Sequence, residues 1–335
     1  MARIAINGFG RIGRQTFKAA WGKSGFKVVA INDLTDAATL AHLLQYDSNY
    51  GKWDQEVTAG KDYIKIGRTK IPVYAQKDPA ALPWKKQRID IVIESTGFFR
   101  TEDAAKAHID AGAKKVLISA PAKGGDVPTY VFGANEKQAK SDKKVVSNNA
   151  SCTTNCTAPV MAIMDEAFGI RHAMLTTVHG YTSTQRLVDG PHKDLRRARA
   201  AAVNMIPTTT GAATATAETL PSLRNKFDGM AIRVPIPTGS LSDITMVVKR
   251  KTTIEEISRV FKKAVKTSRY KGIVTVTEDP IVSSDIVGDP HSAIVDLGMT
   301  RVVDGTLVKI VAWYDNEWGY ANRLAEMALF LAKAF

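Results

Sequence analysis

Through the first 150 residues, short apolar runs alternate with stretches whose apolar positions recur at helical spacing. Arg3–Asn7 and Lys27–Asn32 read as apolar strands, and Arg11–Trp21 between them as a helix opened by a glycine turn. Asp62–Ile66 and Lys70–Tyr74 read as a small hairpin. Ile89–Glu94, Val116–Ser119 and Val145–Ser147 are further buried strands, with a helix at Thr101–Ala111. Strands alternating with helices predict an α/β unit with a doubly wound parallel sheet.

Past residue 150 the pattern changes. Thr153–Phe168 reads as a helix and Ala173–His179 as a strand. Tyr181–Thr210 is long, polar and basic, with little periodicity; a connection that long inside a compact domain is usually functional. Ala212–Leu220 is alanine-rich and helical. Met230–Pro235, Ile244–Lys249, Ala293–Asp296 and Leu307–Trp313 read as strands, with an amphipathic helix at Ile254–Thr267. This predicts an α+β domain with a mostly antiparallel sheet. Trp318–Phe335 reads as a closing helix. The expected division is 1–150 and 151–317, and a chain of 335 residues suits two cores.

Composition narrows the classes. No apolar run approaches the roughly 20 residues that span a bilayer. The start, Met1 to Gly8, reads as strand and turn, not a secretion signal, so a cytoplasmic protein is expected. The net charge of +13 divides as +9 in residues 1–150 and +4 in the remainder. It is dispersed, which suits anionic ligands and gives no dedicated nucleic-acid site. The two cysteines, Cys152 and Cys156, are too few for a disulfide framework, and no neighbouring ligands suggest a metal.

Gly8-Phe9-Gly10-Arg11-Ile12-Gly13 fits the G-x-G-x-x-G pattern in its proper context, after a strand and before a helix. Glycines there allow a tight turn and close approach of a pyrophosphate to the helix N-terminus. Asp33 lies 20 residues beyond Gly13, where a carboxylate bonds ribose hydroxyls and repels a 2′-phosphate. A Rossmann-type site for NAD, rather than NADP, follows.

Cys152 stands at the start of a predicted helix behind Ser151, a suitable N-cap. A helix N-terminus favours a thiolate, so Cys152 is the candidate nucleophile. Cys156, one turn further in, reads as a small buried residue. A base is needed, and the six histidines are His42, His108, His172, His179, His192 and His291. His179 stands out at a strand end beside the long loop, although any packed histidine could mimic it.

Ser151-Cys152-Thr153-Thr154-Asn155 resembles the active-site signature of the phosphorylating glyceraldehyde-3-phosphate dehydrogenase family. The resemblance runs the whole chain, through Asn7-Gly8-Phe9-Gly10-Arg11-Ile12-Gly13-Arg14, Ser95-Thr96-Gly97-Phe98-Phe99, His179-Gly180-Tyr181-Thr182, Pro207 to Ala212, Arg233-Val234-Pro235 and Trp313 to Tyr320. It implies that Cys152 attacks the aldehyde of glyceraldehyde 3-phosphate. His179 would hold the thiolate as an ion pair and then take the hydroxyl proton. Inorganic phosphate would release the thioester as 1,3-bisphosphoglycerate.

By resemblance Thr182 and Arg233 hold the substrate phosphate. Ser151, Thr153, Thr210, Gly211 and Arg197 serve the attacking phosphate or are shared. Arg196 and Arg199, in the same basic run, are open to subunit contacts or solvent. The resemblance places Arg11 and Ile12 near the pyrophosphate, Lys77 and Ser119 near the adenosine, and Asn316 on the nicotinamide carboxamide. It further implies a homotetramer, with the last helix packed on the cofactor domain and 151–317 carrying catalysis and oligomerisation. Erythrose-4-phosphate dehydrogenase is the alternative with the same fold and the same Cys152 and His179. A non-enzymatic binding protein is a second alternative, supported only by the charge.

Overall fold

The computed structural model of the protein describes residues 1–333. The chain divides into two compact units. One comprises Met1–Tyr130, Lys137–Ala150 and the chain from Ala321 onward; the other comprises Val131–Glu136 and Ser151–Tyr320.

The first unit is built on an eight-stranded sheet. Its order is Val146–Asn148, Lys115–Ile118, Ile91–Glu94, Ala2–Asn7, Phe26–Asn32, Thr69–Tyr74, Tyr63–Ile66 and Val57–Ala59. The first six strands run parallel and the last two complete an antiparallel edge. In the central strands Ala2–Asn7 and Ile91–Glu94, residues 4–6 and 91–93 are fully buried, which is why those runs are apolar. Helix Ala37–Gln45 has no counterpart in the strand-led reading of the sequence. Its signals are the cap Asp36, which accepts from Thr39 N, and the buried face of Leu40, Ala41 and Leu44. The closing helix runs Trp318–Ala332, and the final two residues of the range expected for it lie outside the described residues. Within the first unit, Lys23 Nζ donates to Asn322 Oδ1 at 3.1 Å.

The second unit holds a seven-stranded sheet in the order Ile206–Thr209, Phe227–Val234, Ile170–Gly180, Ser240–Val248, Leu307–Tyr314, Ala293–Val303 and Val274–Thr277. It is mixed: two pairings are parallel and four antiparallel. Helices Cys152–Phe168 and Ile254–Ala264 bury Val160, Met164, Ile257 and Phe261 in the core of this unit. The strands outrun their apolar segments; Ile170–Gly180 begins three residues before the run that announces it. Ladder hydrogen bonds extend into polar ends, where periodicity is silent. The long polar stretch contains a short 3-10 turn at Ala201–Val203 and the edge strand Ile206–Thr209.

Candidate active site

Cys152 is the first residue of its helix, and the preceding backbone makes a sharp turn. Ala150 is buried with φ of 55°, in the left-handed region that costs a β-carbon about 1 kcal/mol. Its N–H donates to Asn148 Oδ1 at 2.9 Å. Ser151 then caps the helix, its Oγ accepting from Thr154 N at 3.1 Å.

His179 reaches this helix start from the end of strand Ile170–Gly180. Its Nε2 lies 3.4 Å from Cys152 Sγ. The parallel register pairs His179 directly with Arg233, so their side chains share a face of the sheet. Arg233 Nη1 sits 2.7 Å from His179 Nδ1 and donates to Gly180 O at 3.1 Å. Three residues distant in sequence thus form one cluster, of which His179 is only 4% exposed.

Burial, followed by the positive charge of Arg233, pulls His179 from its ordinary value down to about 3. Burial also pushes the Cys152 thiol up, against the opposing pull of Arg233 and the Thr153 hydrogen bonds. Both directions run against the ion pair expected of a thiolate at a helix terminus. Desolvation disfavours the charged form of each group, whereas the helix end and their mutual attraction favour it. Cys156 is fully buried and raised to about 12 by the same desolvation.

Behind the pair stands Tyr314, which lies in the Trp313 to Tyr320 motif but was given no role by sequence reading. Its hydroxyl is 2.8 Å from Thr153 Oγ1 and 2.8 Å from Thr177 Oγ1. Its ring meets His179 edge-on at 6.0 Å between centroids. It ties the start of the helix to the strand that carries the histidine. Ser240 is a second such residue: its Oγ donates to Asn316 Oδ1 at 2.8 Å, and Gly239 N donates to the same oxygen at 3.1 Å. The Asn316 amide is thereby oriented by its oxygen, leaving its NH₂ group as the donor for a ligand.

The remaining anion candidates sit outside this cluster. Arg197 donates to Thr208 Oγ1 at 2.8 Å and to Thr209 O at 3.2 Å, and its charge is felt by Arg233. Arg199 pairs with Asp189 at 2.9 Å. Thr182 shares a 2.8 Å hydrogen bond with Thr184, and Thr210 accepts from Ala212 N at 3.2 Å just before helix Ala212–Thr219, whose N-cap is Gly211. Among the described residues, no hydrogen bond joins Ser151, Thr182, Arg197, Thr210 or Gly211 to Cys152, His179 or Arg233.

In the first unit a cleft of about 530 Å³ opens at the carboxyl ends of four parallel strands, lined by Gly8, Gly10, Asp33, Lys77, Ser95 and Thr96 among others. Gly8 has φ of +88°, and a β-carbon there would stand 2.6 Å from Thr96 N. One on Gly13 would stand 2.2 Å from Gly8 O, whereas Gly10 faces open space. The first and third glycines close the turn, and the middle one leaves room for a phosphate at the helix start. Asp33 accepts from Phe9 N at 2.7 Å and from Thr35 N at 2.9 Å, which fixes its carboxylate at the cleft. The residues fit a dinucleotide. Arg11, however, turns its guanidinium onto Asp47 at 2.7 Å, so at the turn it offers backbone, as Ile12 does. Ser119 follows strand Lys115–Ile118 and donates its N–H to Glu94 O at 2.9 Å.

Beneath that cleft lies a buried network that sequence reading did not assign. Trp84 Nε1 donates to His108 Nδ1 at 3.0 Å, and His108 Nε2 is 3.1 Å from Glu94 Oε2. Asn7 Nδ2 donates to the same carboxylate oxygen, and Thr96 N donates to Oε1 at 2.8 Å. Polar residues inside an apolar strand (Asn7, Glu94) were the available signal.

No helix among the described residues is long and apolar enough to cross a membrane. Residues 2–102 match the family model for the NAD binding domain of glyceraldehyde 3-phosphate dehydrogenase, and residues 151–316 match its C-terminal domain. Glyceraldehyde-3-phosphate dehydrogenase 2 of Streptomyces avermitilis is 53% identical over 98% of both chains. The Streptomyces coelicolor enzyme of that name is 52% identical over 98% of both, and one from Mycobacterium tuberculosis is 50% identical over 99% of both. With a cysteine–histidine pair in one unit, a glycine-turn cleft in the other and both family domains matched, the chain belongs to the glyceraldehyde 3-phosphate dehydrogenase family.

Proposed function

We propose that the protein is an NAD-dependent oxidoreductase that converts glyceraldehyde 3-phosphate and inorganic phosphate to 1,3-bisphosphoglycerate. The observation that carries this reading is Cys152 Sγ at 3.4 Å from His179 Nε2, with Arg233 beside them, in a chain matched in both family domains.

Cys152 Sγ adds to the aldehyde carbon, and the thiol proton ends on the carbonyl oxygen of the resulting hemithioacetal. A bound nicotinamide dinucleotide supplies the two-electron acceptor for the aldehyde C–H. His179 Nε2 takes the hydroxyl proton, and a thioester remains on Cys152. The backbone N–H of Cys152 steadies the oxyanion. An oxygen of hydrogen phosphate then attacks the thioester carbon, the C–S bond breaks, the sulfur recovers its proton from His179 and the proton of the phosphate leaves to solvent. Arg233 and Thr182 would hold the substrate phosphate. Ser151, Thr153, Arg197, Thr210 and Gly211 would hold the attacking one. Of the three arginines in the loop we favour Arg197, because its charge reaches Arg233; both it and Arg199 also face a carboxylate, Asp194 at 3.5 Å and Asp189 at 2.9 Å.

For the cofactor, Gly8, Gly10, Arg11, Ile12 and Gly13 would hold the pyrophosphate through backbone, and Asp33 the ribose hydroxyls. Lys77 and Ser119 would flank the adenosine, and Asn316 would donate to the carboxamide. Residues 1–150 with the closing helix form the dinucleotide-binding domain in this reading, and 151–317 the catalytic one.

The test is reduction of NAD and of NADP with glyceraldehyde 3-phosphate, with and without phosphate, beside erythrose 4-phosphate. We expect NAD preference, phosphate dependence and a loss on the order of 10⁴-fold or more in Cys152→Ser. Full activity in that variant sinks the reading; equal turnover without phosphate, or a preference for the four-carbon aldehyde, sinks its substrate. A cytoplasmic homotetramer belongs to the same proposal. Two unpaired cysteines suit a reducing compartment, and exposed Met174, Met230, Met299 and Val303 give the second sheet an apolar face to cover. Sedimentation at the mass of a single chain would refute the assembly.

A further inference from the structure

We propose that Glu94 is the positioning residue of the dinucleotide cleft. Its carboxylate ties down both walls of the adenosine side, so that the cleft is shaped before the cofactor enters. The inference rests on the cofactor reading above and is independent of which aldehyde is oxidised.

Register puts the key groups in one row. In the parallel sheet Asn7 pairs with Glu94 on one side and with Asn32 on the other, so the three side chains share a face at the carboxyl ends of adjacent strands. All three are at most 5% exposed. Open α/β sheets bind their ligands just beyond such ends. Asn7, Asn32, Gln76 and Thr96 line the cleft, and Glu94 lies beneath them. Asn32 and Gln76 directly precede Asp33 and Lys77, the groups read above as meeting the ribose and the adenosine.

The hydrogen bonds run in one direction. At one wall Gln76 N donates to Asn32 Oδ1 at 2.9 Å, and Asn32 Nδ2 donates to Gln76 O at 3.0 Å and to Asn7 Oδ1 at 2.6 Å. The Asn7 amide must then turn its Nδ2 to Glu94 Oε2, to which it donates. At the other wall Thr96 donates both its N–H, at 2.8 Å, and its hydroxyl to Glu94 Oε1. The place of Thr96 matters to the glycine turn, since a β-carbon on Gly8 would stand 2.6 Å from its nitrogen. His108 Nε2 adds a fourth donor at 3.1 Å, its Nδ1 being taken by the Trp84 indole N–H. Asn7 Nδ2 and His108 Nε2 are 3.4 Å apart, and as two N–H groups both turn to Glu94. Among side chains only a carboxylate accepts all four.

An amide cannot take this load. In the nearly isosteric Glu94→Gln, one of the two oxygens becomes an NH₂ group. Placed at Oε1, it faces the Thr96 donors and releases that wall. Placed at Oε2, it faces Asn7. Turning the Asn7 amide over to accept sets its NH₂ against Asn32, and turning Asn32 over in answer reverses both of its bonds to Gln76. Either way one wall comes loose. Loose walls weaken binding, because the ligand must then order them.

The experiment is calorimetric titration of the full chain with NAD and with ADP-ribose, which lacks the nicotinamide that Asn316 would meet, beside denaturant unfolding of each variant. Glu94→Gln should weaken both ligands by about 10-fold or more, raise KM for NAD by a similar factor and leave kcat at saturating cofactor within about twofold. His108→Ala is the control. It opens a cavity but leaves Thr96 and Asn7 on the carboxylate, so its affinity for NAD should stay within about threefold of wild type despite lower stability. If Glu94→Gln fails to fold, amide hydrogen exchange of the free wild-type chain decides. The N–H groups of Thr96 and Gln76 should both be protected, and exchange of either at the rate of open chain overturns the inference. Unchanged affinity in Glu94→Gln overturns it too, as does a loss for NAD with ADP-ribose unaffected, or affinity losses in the two variants that merely follow their losses of stability. A wild-type chain that binds neither ligand removes the cofactor reading and this inference with it.

Discussion

Two buried histidines, one in each unit, have opposite surroundings. His108 is wholly buried; Trp84 meets its Nδ1 and Glu94 its Nε2, with the Asn7 amide nitrogen at a longer 3.4 Å from Nε2. The indole N–H of Trp84 can only donate, so Nδ1 accepts and Nε2 carries the proton toward Glu94. His179 is nearly as buried, but two groups compete for its Nδ1 and its Nε2 faces a thiol. Burial does not separate a structural histidine from a reactive one. The separation comes from whether each ring nitrogen has one consistent partner.

The sharpest break of this comparison is a matched pair of substitutions. His179→Gln should lower phosphate-dependent turnover by about 10²–10⁴-fold, the usual share of general acid–base catalysis, with little change in unfolding midpoint. His108→Ala should do the reverse. It leaves the Trp84 donor without an acceptor, removes one of the donors to Glu94 and opens a cavity in a closed space, at a cost of about 3 kcal/mol measured by denaturant unfolding. Turnover of the folded fraction should be largely retained. Matching losses of activity in the two variants would remove the distinction.

A smaller effect appears in acid. The folded His179 titrates near 3, below its ordinary 6.5, so folding disfavours its charged form. Its contribution is fully present above about pH 6.5 and is lost as pH falls toward 3. Within that window His179→Gln should flatten the dependence of stability on pH by up to about 1.4 kcal/mol per pH unit, the weight of one proton. Parallel curves for wild type and variant would show that the imidazole is not held neutral.

The same contrast explains how far the sequence could be read. The first and third glycines of the turn announce themselves, because at Gly8 and Gly13 a β-carbon would strike backbone within the motif's own neighbourhood. Cys152 is legible for a similar reason: the cap Ser151 and the helix start are its direct neighbours. His179 could be picked from six only weakly, since the contact that distinguishes it spans 27 residues. Ser240 carried no signal and Tyr314 only its place in the Trp313 to Tyr320 motif, because each acts on groups more than 60 positions away. The Glu94–His108 pair was hidden for the same reason, although a glutamate in an apolar strand marks a buried partner somewhere.

By itself the sequence determined the local chemistry: a glycine turn able to admit a phosphate, an acid at the end of the second strand, and a cysteine behind a cap at a helix start. These depend on φ angles and on neighbours within one turn of chain. The tertiary structure alone decided how that chemistry is set. A helix start argues for a lowered thiol, yet burial raises it, and parallel pairing of strands 54 residues apart brings a guanidinium onto the imidazole. Desolvation and charge depend on what surrounds a group in space, and the order of residues does not state that.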